Sequence, residues 1–307
     1  MASWVLKAII QKGISFLPFR HQLNYLFQKH VTRGVRLTDK LFESKLLHCK
    51  QHLTALFDHS KTQSNFSALE LGTGWYPVVP IGFFLAGAEK IYTADIKSTV
   101  TKGQFEATII KYISYADSGR LKNFLPGILE ERLNILRNLL LTEKEIDTYF
   151  EDVNVTFLEG DIIKQIIPGG SIHLISSNNT FEHIPELLLK KILSHFKTLI
   201  HPGGVMSHFI DMSDHFSHLD KTISNYHFLR FSDRQWGFID NSIQPQNRLR
   251  INHYRELLQS TGWVIVSEEM TVAQPDRTIE IKISKQFSSV SHADLIVTHV
   301  LLTCKPE

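Results

Sequence analysis

The stretch LELGTGWYP, residues 69–77, ends one apolar run and opens a helical one. Closely spaced glycines after a strand let the backbone turn sharply and approach a ligand, where a Cβ atom would clash. Asp95 follows the next apolar run, 21 residues beyond Gly74. A carboxylate at that place can accept hydrogen bonds from ribose hydroxyls. These residues predict a site for a nucleotide-like cofactor.

Short apolar runs alternate with longer helical stretches from residue 67 onward. The runs are SALEL (67–71), KIYTA (90–94), VNVTFL (153–158), IHLISS (172–177), GVMSHFI (204–210), WVIVSEEM (263–270) and DLIVTHVLLTC (294–304). This alternation is typical of a parallel sheet with helices on both faces, and the last two runs, with no clear helix between them, predict an antiparallel hairpin. The predicted fold class is α/β: a Rossmann-like doubly wound, mostly parallel seven-stranded sheet with a C-terminal antiparallel hairpin, N-terminal helices and a helical insertion.

Two connections are longer than a crossover requires. Residues 103–150 have helical periodicity and are predicted as a helical insertion, and residues 211–250, rich in His, Phe, Asp and Asn, as a substrate-side insertion. Both emerge where ligands bind in open α/β sheets. Residues 61–307 are expected to form the α/β domain and residues 1–60 an N-terminal helical cap. This amphipathic cap either closes the ligand site or makes peripheral contact with a membrane surface.

The charge balance is nearly neutral, with 33 Lys and Arg against 31 Asp and Glu in 307 residues. A protein that binds a phosphate backbone is usually basic, so no nucleic-acid partner is expected. Two cysteines are too few for a disulfide framework, which indicates a reducing compartment. No apolar run approaches the ~20 residues of a bilayer span. We expect a cytoplasmic protein, and the sequence leaves its oligomeric state open.

The glycine turn alone does not distinguish nicotinamide dinucleotides from S-adenosylmethionine, and a plain strand-to-helix turn is a third interpretation. A dinucleotide fingerprint has a third small residue where this sequence has Pro77, so that the helix N-terminus can accept a pyrophosphate. A P-loop would need Lys-Ser or Lys-Thr at a fixed spacing after the glycines, and neither stands at that spacing. The turn therefore favours S-adenosylmethionine.

Five segments together resemble the class I S-adenosylmethionine-dependent methyltransferases, specifically their small-molecule type. They are LELGTGWYP (69–77), YTADI (92–96), FLEGDI (157–162), SNNTFEHI (177–184) and HPGG (201–204), in that family's order. The resemblance covers about residues 65–210, and the terminal hairpin fits the same fold. It implies S-adenosyl-L-methionine as the cofactor and methyl transfer as the activity.

The resemblance also implies which residues bind the cofactor. They are Glu70, Gly72, Thr73 and Gly74 at the methionine end, Asp95 and Ile96 at the ribose, Asp161 and Ile162 at the adenine, and Asn178 near the sulfonium. Two departures stand out. His173 occupies a position that is acidic in many relatives, and Trp75 with Tyr76 is bulkier than the residues common after the second glycine.

Three histidines are candidate catalytic residues. Transfer from a sulfonium depends mainly on positioning, but a protonated acceptor also needs a base. His215 is the first candidate and His218 the second, because helical spacing would place both on one face with Asp211 and Asp214. His183, in SNNTFEHI, would lie near the methyl group; alternatively, it packs against the sheet and the later cluster is a polar cap.

Residues of the second insertion are candidate contacts for the acceptor. These are Asp211, Tyr226, Arg230, Trp236, Arg248 and Arg250, with the last two as a possible clamp for a carboxylate or phosphate. Surface solvation of the arginines and packing of the aromatic residues are the alternatives. The Asp and His residues from 208 to 218 suit a divalent metal chemically. Nothing fixes a ligand geometry, so no metal is predicted.

The predicted function is methyl transfer to an oxygen or nitrogen of a small-molecule acceptor by in-line displacement. The Asn-Pro-Pro-Tyr signature associated with methylation of bases or glutamine amides is missing, since the sequence reads Ser-Asn-Asn-Thr at 177–180. Two alternatives are a nicotinamide-dependent oxidoreductase and a non-catalytic module that binds S-adenosylmethionine.

Overall fold

A single sheet of seven strands organises the computed structural model, which describes residues 3–17, 36–60, 62, 64–125, 127–242, 244–272 and 282–307. The strands are β1 (Phe66–Leu71), β2 (Ala88–Asp95), β3 (Val155–Glu159), β4 (Ile172–Asn178), β5 (Ile200–Asp211), β6 (Trp263–Val272) and β7 (Val297–Pro306). Their order is β3-β2-β1-β4-β5-β7-β6. The first five strands pair in parallel, and β7 runs antiparallel to both β5 and β6. The predicted fold class is confirmed.

Ten α-helices surround this sheet in the described residues. They are α1 (Ser3–Ser15), α2 (Asp39–His59), α3 (Val78–Leu85), α4 (Lys102–Asp117), α5 (Glu130–Leu139), α6 (Ile146–Asp152), α7 (Glu186–Leu199), α8 (Asp233–Ile239), α9 (Ile251–Ser260) and α10 (His292–Leu295). Residues 18–35 of the N-terminal cap lie outside the described ranges. No helix within those ranges is both long and apolar enough to cross a membrane.

Strand β1 is buried on both faces, as expected for a central parallel strand. Phe66 and Ala68 belong to the apolar cluster under α2 to α6, whereas Leu69 and Leu71 belong to the cluster under α7 and α9. Because side chains alternate along a strand, Glu70 shares the face of Phe66 and Ala68. The sheet therefore directs this carboxyl group to the side on which α2 packs.

The long connection between β2 and β3 forms helices α4, α5 and α6. Phe105 of α4 stacks on Tyr149 of α6, with ring centroids 5.4 Å apart. Arg132 of α5 donates to the carbonyls of Phe84 and Ala88, at 2.7 and 2.6 Å. These contacts join the three helices to α3 and β2, so the connection adds to the hydrophobic layer on that face.

Helix α1 packs against the segment that follows β5. The Trp4 N–H donates to an Asp220 carboxylate oxygen at 3.1 Å, and Lys7 Nζ donates to the His215 carbonyl at 3.4 Å. Gln11 Nε2 donates to Gln244 Oε1 at 2.9 Å. These contacts place α1 against the second insertion, and the two alternatives for the role of the cap stay predictions.

Three local expectations are corrected. Strand β5 begins at Ile200 rather than at residue 204. Residues 292–295 form α10, and β7 begins only at Val297. The segment 212–220 forms turns, not the helix that the 211, 214, 215, 218 spacing assumed.

Candidate functional site

The two glycines of the turn after β1 have different surroundings. Gly72 has φ +87°, its N–H donates to the Ala94 carbonyl at 2.8 Å, and a Cβ atom there would lie 2.2 Å from Thr180 Oγ1. Gly74 has φ +67°, and a Cβ atom there would meet no described heavy atom within 4 Å beyond its chain neighbours. Gly72 therefore lets β1 approach the loop after β4, and the space over Gly74 is open to a ligand.

Asp95 connects the end of β2 to the glycine turn. Its Oδ2 accepts a hydrogen bond from the Gly74 N–H at 3.3 Å. Burial raises the pKa of Asp95, and hydrogen bonds from backbone N–H groups oppose this rise. The carboxyl group thus lies beside the glycine turn, and its contact with a ribose stays a prediction; the side chain of Ile96 is 73% exposed.

Glu70 is fully buried at the end of β1, beneath the turn. Burial raises its pKa to about 7, and the positive charge of Lys45 on α2 opposes that rise. Its Oε2 accepts from Thr93 Oγ1 at 3.3 Å, and the Thr93 hydroxyl also bonds to Thr73. A hydrogen bond from the Asn178 side chain also opposes the rise in the pKa of Glu70, so these two buried side chains interact with each other.

His52 of α2 fixes the orientation of Asn178, and the sequence analysis missed it. Its Nε2 lies 3.0 Å from Asn178 Oδ1, and its Nδ1 lies 2.7 Å from Ser207 Oγ. Burial lowers the pKa of His52 to about 4, so the imidazole is neutral near pH 7. Because an amide oxygen only accepts, Nε2 carries the proton and Nδ1 accepts from the serine hydroxyl. A histidine within the apolar stripe of α2 is the sequence signal that could have pointed to this buried role.

The predicted adenine residues follow β3. Asp161 accepts from the Ile163 N–H at 3.1 Å and caps a short 3-10 helix, and Ile162 is buried in that helix. The carboxyl ends of neighbouring parallel strands meet at one edge of the sheet. The structure thus brings the candidate residues after β1, β2, β3 and β4 to one edge.

Asp211, at the end of β5, is the centre of a histidine cluster. His215 Nε2 and His218 Nε2 lie 3.5 and 3.7 Å from its Oδ2, and His299 Nε2 lies 3.4 Å from its Oδ1. Ser213 donates to Oδ1 through both its N–H and its hydroxyl, at 2.8 and 2.6 Å. Burial favours the neutral acid, but the hydrogen bond and charge of His215, the charge of His299 and the hydrogen bond from Ser213 hold the pKa of Asp211 below its usual value.

His183 and Glu182 lie beside this cluster in the 3-10 turn after β4. His183 Nδ1 lies 2.6 Å from the Pro245 carbonyl oxygen and therefore donates its proton to it. Burial lowers the pKa of His183 to about 4. Burial also raises the pKa of Glu182, which is only 1% exposed. Ligand atoms of Glu182, His183 and His215 all lie within 4.8 Å of one another, so these residues could hold a metal ion.

The two arginines predicted as an acceptor clamp have structural roles instead. The Arg250 guanidinium is fully buried and donates to backbone carbonyls at the end of α10, at the start of β7 and after β5. Arg248 is 4% exposed and donates to two carbonyls near α8 and to the Asp233 carboxylate. Buried guanidinium groups that are already paired cannot receive an acceptor, so we correct this prediction.

The other predicted acceptor residues of the second insertion are Tyr226, Arg230 and Trp236. Tyr226 is buried, and its hydroxyl donates to the Ile296 carbonyl. Arg230 is exposed. Trp236 Nε1 donates to the Gln246 carbonyl at 3.0 Å. Trp236 also lines a small cavity, together with Lys7, Gln11, His215, Phe216, Asp240, Asn241, Gln244 and Gln246. Only Trp236 of these three lies beside the histidine cluster in a cavity wall.

Comparison with known proteins identifies likenesses of fold only. No family model and no curated protein sequence matches this chain. Among solved structures, it is similar to phosphoethanolamine N-methyltransferase 2 of Haemonchus contortus, at 14% identity and a TM-score of 0.44, over 84% of this chain and 52% of that one. A Pyrococcus horikoshii protein gives 13% identity and a TM-score of 0.48, over 92% and 98% of the chains.

A third similar structure is geranyl diphosphate C-methyltransferase of Streptomyces coelicolor, with 11% identity and a TM-score of 0.43 over 84% of this chain and 77% of that one. This chain spans about half the length of the Haemonchus enzyme. Identities and scores at this level do not bear on activity. What this chain does must be argued from its own sheet and site.

Proposed function

We propose that this protein is an S-adenosylmethionine-dependent methyltransferase that acts on an oxygen or nitrogen of a small-molecule acceptor. The observation that carries the proposal is the sheet itself. A dinucleotide-binding sheet has the parallel order 3-2-1-4-5-6. Here an antiparallel strand, β7, lies between β5 and β6. This arrangement agrees with the resemblance of the five sequence segments and disfavours a nicotinamide cofactor.

The residues at the sheet edge fit the proposed cofactor. The open space over Gly74 allows close approach of a ligand to the backbone. The Asp95 carboxyl group can accept from two ribose hydroxyls. Glu70 and Asn178 supply a buried carboxyl group and an amide that interact with each other at the end of β1 and β4. When bound, S-adenosylmethionine supplies an electrophilic methyl group, whose carbon–sulfur bond breaks as the bond to oxygen or nitrogen forms.

The residues of the acceptor side then position the nucleophile and take its proton. His215 and His218 share the Asp211 carboxylate, which orients their rings and stabilises a protonated imidazole. An acceptor held against these histidines can pass its proton to one of them. Helix α1 packs against this side of the molecule through Trp4 and Lys7.

Two measurements test the proposal. Titration calorimetry with S-adenosylhomocysteine and with NADH should give binding of the first alone; binding of NADH alone would overturn the choice of cofactor. Purified protein with labelled S-adenosylmethionine should then transfer label to a small-molecule fraction of a cell extract. Binding of S-adenosylhomocysteine with no labelled product in any extract would instead favour a non-catalytic binding module.

A further inference from the structure

We propose that Glu182, His183 and His215 bind a divalent transition-metal ion on the acceptor side of the site. The three side chains come from the turn after β4 and from the segment after β5. Their ligand atoms all lie within 4.8 Å of one another. The role of this ion in holding the acceptor rests on the proposed methyl transfer. The binding of the ion to the protein does not depend on that proposal.

Glu182 supplies the observation that points to a ligand. Its side chain is 1% exposed, and neither carboxyl oxygen has a side-chain hydrogen-bond partner among the described residues; the backbone N–H groups of Glu182 and Asp211 favour its ionised form. A buried carboxylate without a cationic partner is costly in free energy, so natural proteins pair such a group or use it to coordinate a metal. A divalent cation bound by Glu182, His183 and His215 would neutralise this carboxylate.

The two histidines are oriented as metal ligands commonly are. In His183, Nδ1 donates to the Pro245 carbonyl at 2.6 Å, which leaves the lone pair of Nε2 free to bind a metal. In His215, Nε2 faces the Asp211 carboxylate at 3.5 Å. A metal-binding histidine usually gives its other ring N–H to a backbone carbonyl or a carboxylate, which fixes the ring and raises its basicity. His183 has the backbone carbonyl as its partner, and His215 has the carboxylate.

The ligand set indicates the class of metal. Two imidazole nitrogens and one carboxylate suit Mn²⁺, Fe²⁺, Co²⁺ or Zn²⁺, whereas Mg²⁺ and Ca²⁺ prefer oxygen ligands. Three protein ligands also leave coordination positions open. An acceptor hydroxyl bound at such a position would lose its proton more readily. With His215 bound to the metal, His218 and His299 remain in the Asp211 cluster, and His218 is the one already proposed to take this proton.

Metal binding can be measured on the full-length protein without any methyl transfer. Addition of CoCl₂ to the metal-free protein should give one equivalent of bound Co²⁺ and the visible absorption bands of a site with nitrogen and oxygen ligands. Glu182→Gln should weaken Co²⁺ binding at least tenfold, and so should His183→Gln. Glu186→Gln, an exposed carboxylate on α7, and His201→Gln, at the opposite end of β5, are matched controls that should bind Co²⁺ like the unmodified protein.

The outcomes separate the two proposals. Two results would refute the metal site, whether or not S-adenosylhomocysteine binds. The first is a dissociation constant for Co²⁺ and Mn²⁺ weaker than about 1 mM, which corresponds to a binding free energy of roughly −4 kcal/mol. The second is Co²⁺ binding by Glu182→Gln that is as tight as that of the control variants. Metal binding without S-adenosylhomocysteine binding would refute the proposed function and leave the site. Glu182→Gln keeps the shape of the side chain and removes a buried acid, so it should fold at least as stably as the unmodified protein, and it carries the test even if His183→Gln does not fold.

Discussion

The Nε2 atom of His52 lies 3.0 Å from Oδ1 of Asn178. A helix that precedes the whole sheet thus fixes the residue at the end of β4, which the resemblance places near the sulfonium. The same imidazole accepts from Ser207 on β5, so one buried side chain joins α2, β4 and β5. The orientation of the Asn178 amide therefore depends on residues outside the five segments that resemble methyltransferases.

His52→Ala should weaken both the fold and the cofactor site. It leaves the Ser207 hydroxyl and the Asn178 amide oxygen buried without a partner, which costs about 1–3 kcal/mol of unfolding free energy. We expect S-adenosylhomocysteine to bind about tenfold more weakly, equivalent to ~1.4 kcal/mol. Urea denaturation and calorimetry measure the two effects. His59→Ala, at the last residue of α2, is the control and should change neither; unchanged cofactor affinity in His52→Ala would contradict the positioning role.

The two turn glycines should respond differently to alanine. Both have positive φ, so each substitution introduces about 1–2 kcal/mol of backbone strain. Only at Gly72 does the new Cβ also clash, with Thr180. Gly72→Ala should therefore lower the melting temperature more than Gly74→Ala, whereas Gly74→Ala should fold but bind S-adenosylhomocysteine poorly. Tight binding by Gly74→Ala would show that the ligand does not use the space over this residue.

Glu70 should make stability fall with pH in the absence of cofactor. Its pKa is about 7 in the folded protein against a reference value of 4.5. The folded state therefore holds this proton more tightly than the unfolded state does, so the stabilisation is fully present below pH 4.5 and is lost as the pH rises to about 7. The loss is at most about 3 kcal/mol. In Glu70→Gln this loss should disappear, so the unfolding free energy of the variant minus that of the parent should increase from pH 4.5 to 7. A constant difference across that range would contradict the raised pKa of Glu70.

Arg250→Ala should be a stability variant and not an acceptor-binding variant. The guanidinium donates to the carbonyls of Met212, Leu295 and Val297, and its removal leaves these carbonyls buried without that donor. We expect a loss of about 3 kcal/mol or more in urea denaturation. Arg230→Ala, an exposed residue, should change stability by less than about 0.5 kcal/mol. An Arg250→Ala protein of normal stability with a raised acceptor KM would restore the clamp interpretation.

Much of the sheet was predictable because its signals are local. Five apolar runs, each followed by a turn, fix five parallel strands, and the observed bounds differ by only a few residues. The largest difference is at β5, whose apolar run begins at residue 204 whereas the strand begins at Ile200. The register with β4 shifts between Ile172 and Leu174, and Gly204 packs against the carbonyls of Ile172 and His173, which a Cβ atom would approach at 2.9–3.0 Å. A contact of this kind depends on a neighbouring strand and leaves no local pattern.

The site was less predictable, because burial decides what a polar side chain does. The sequence Asn-Arg-Leu-Arg at 247–250 has the spacing of an anion clamp, but both guanidinium groups face the protein interior. Conversely, Glu182 stood in a segment already noted for its histidine, yet nothing local shows that its carboxyl group is buried and unpaired. The grouping of His215 and His218 with Asp211 was predicted from helical spacing, but turns rather than a helix bring these histidines to Asp211.

Asp211→Asn should separate the acceptor side from the cofactor side. The carboxylate contacts three histidines, two of which are candidate bases, and none of the residues at the glycine turn. An amide cannot stabilise a protonated imidazole as a carboxylate does, so kcat should fall by about 10²–10⁴. The affinity for S-adenosylhomocysteine should stay within about twofold, or ~0.4 kcal/mol.

Ser213→Ala is the graded comparison for this prediction. It keeps the carboxylate and removes only the hydroxyl, which donates to Asp211 at 2.6 Å and lies 3.1 Å from His218 Nε2. Its kcat should therefore lie between those of the unmodified protein and Asp211→Asn. A role confined to the acceptor side predicts that Asp211→Asn affects kcat alone. If cofactor affinity fell as much as kcat, the cluster would instead support the whole site.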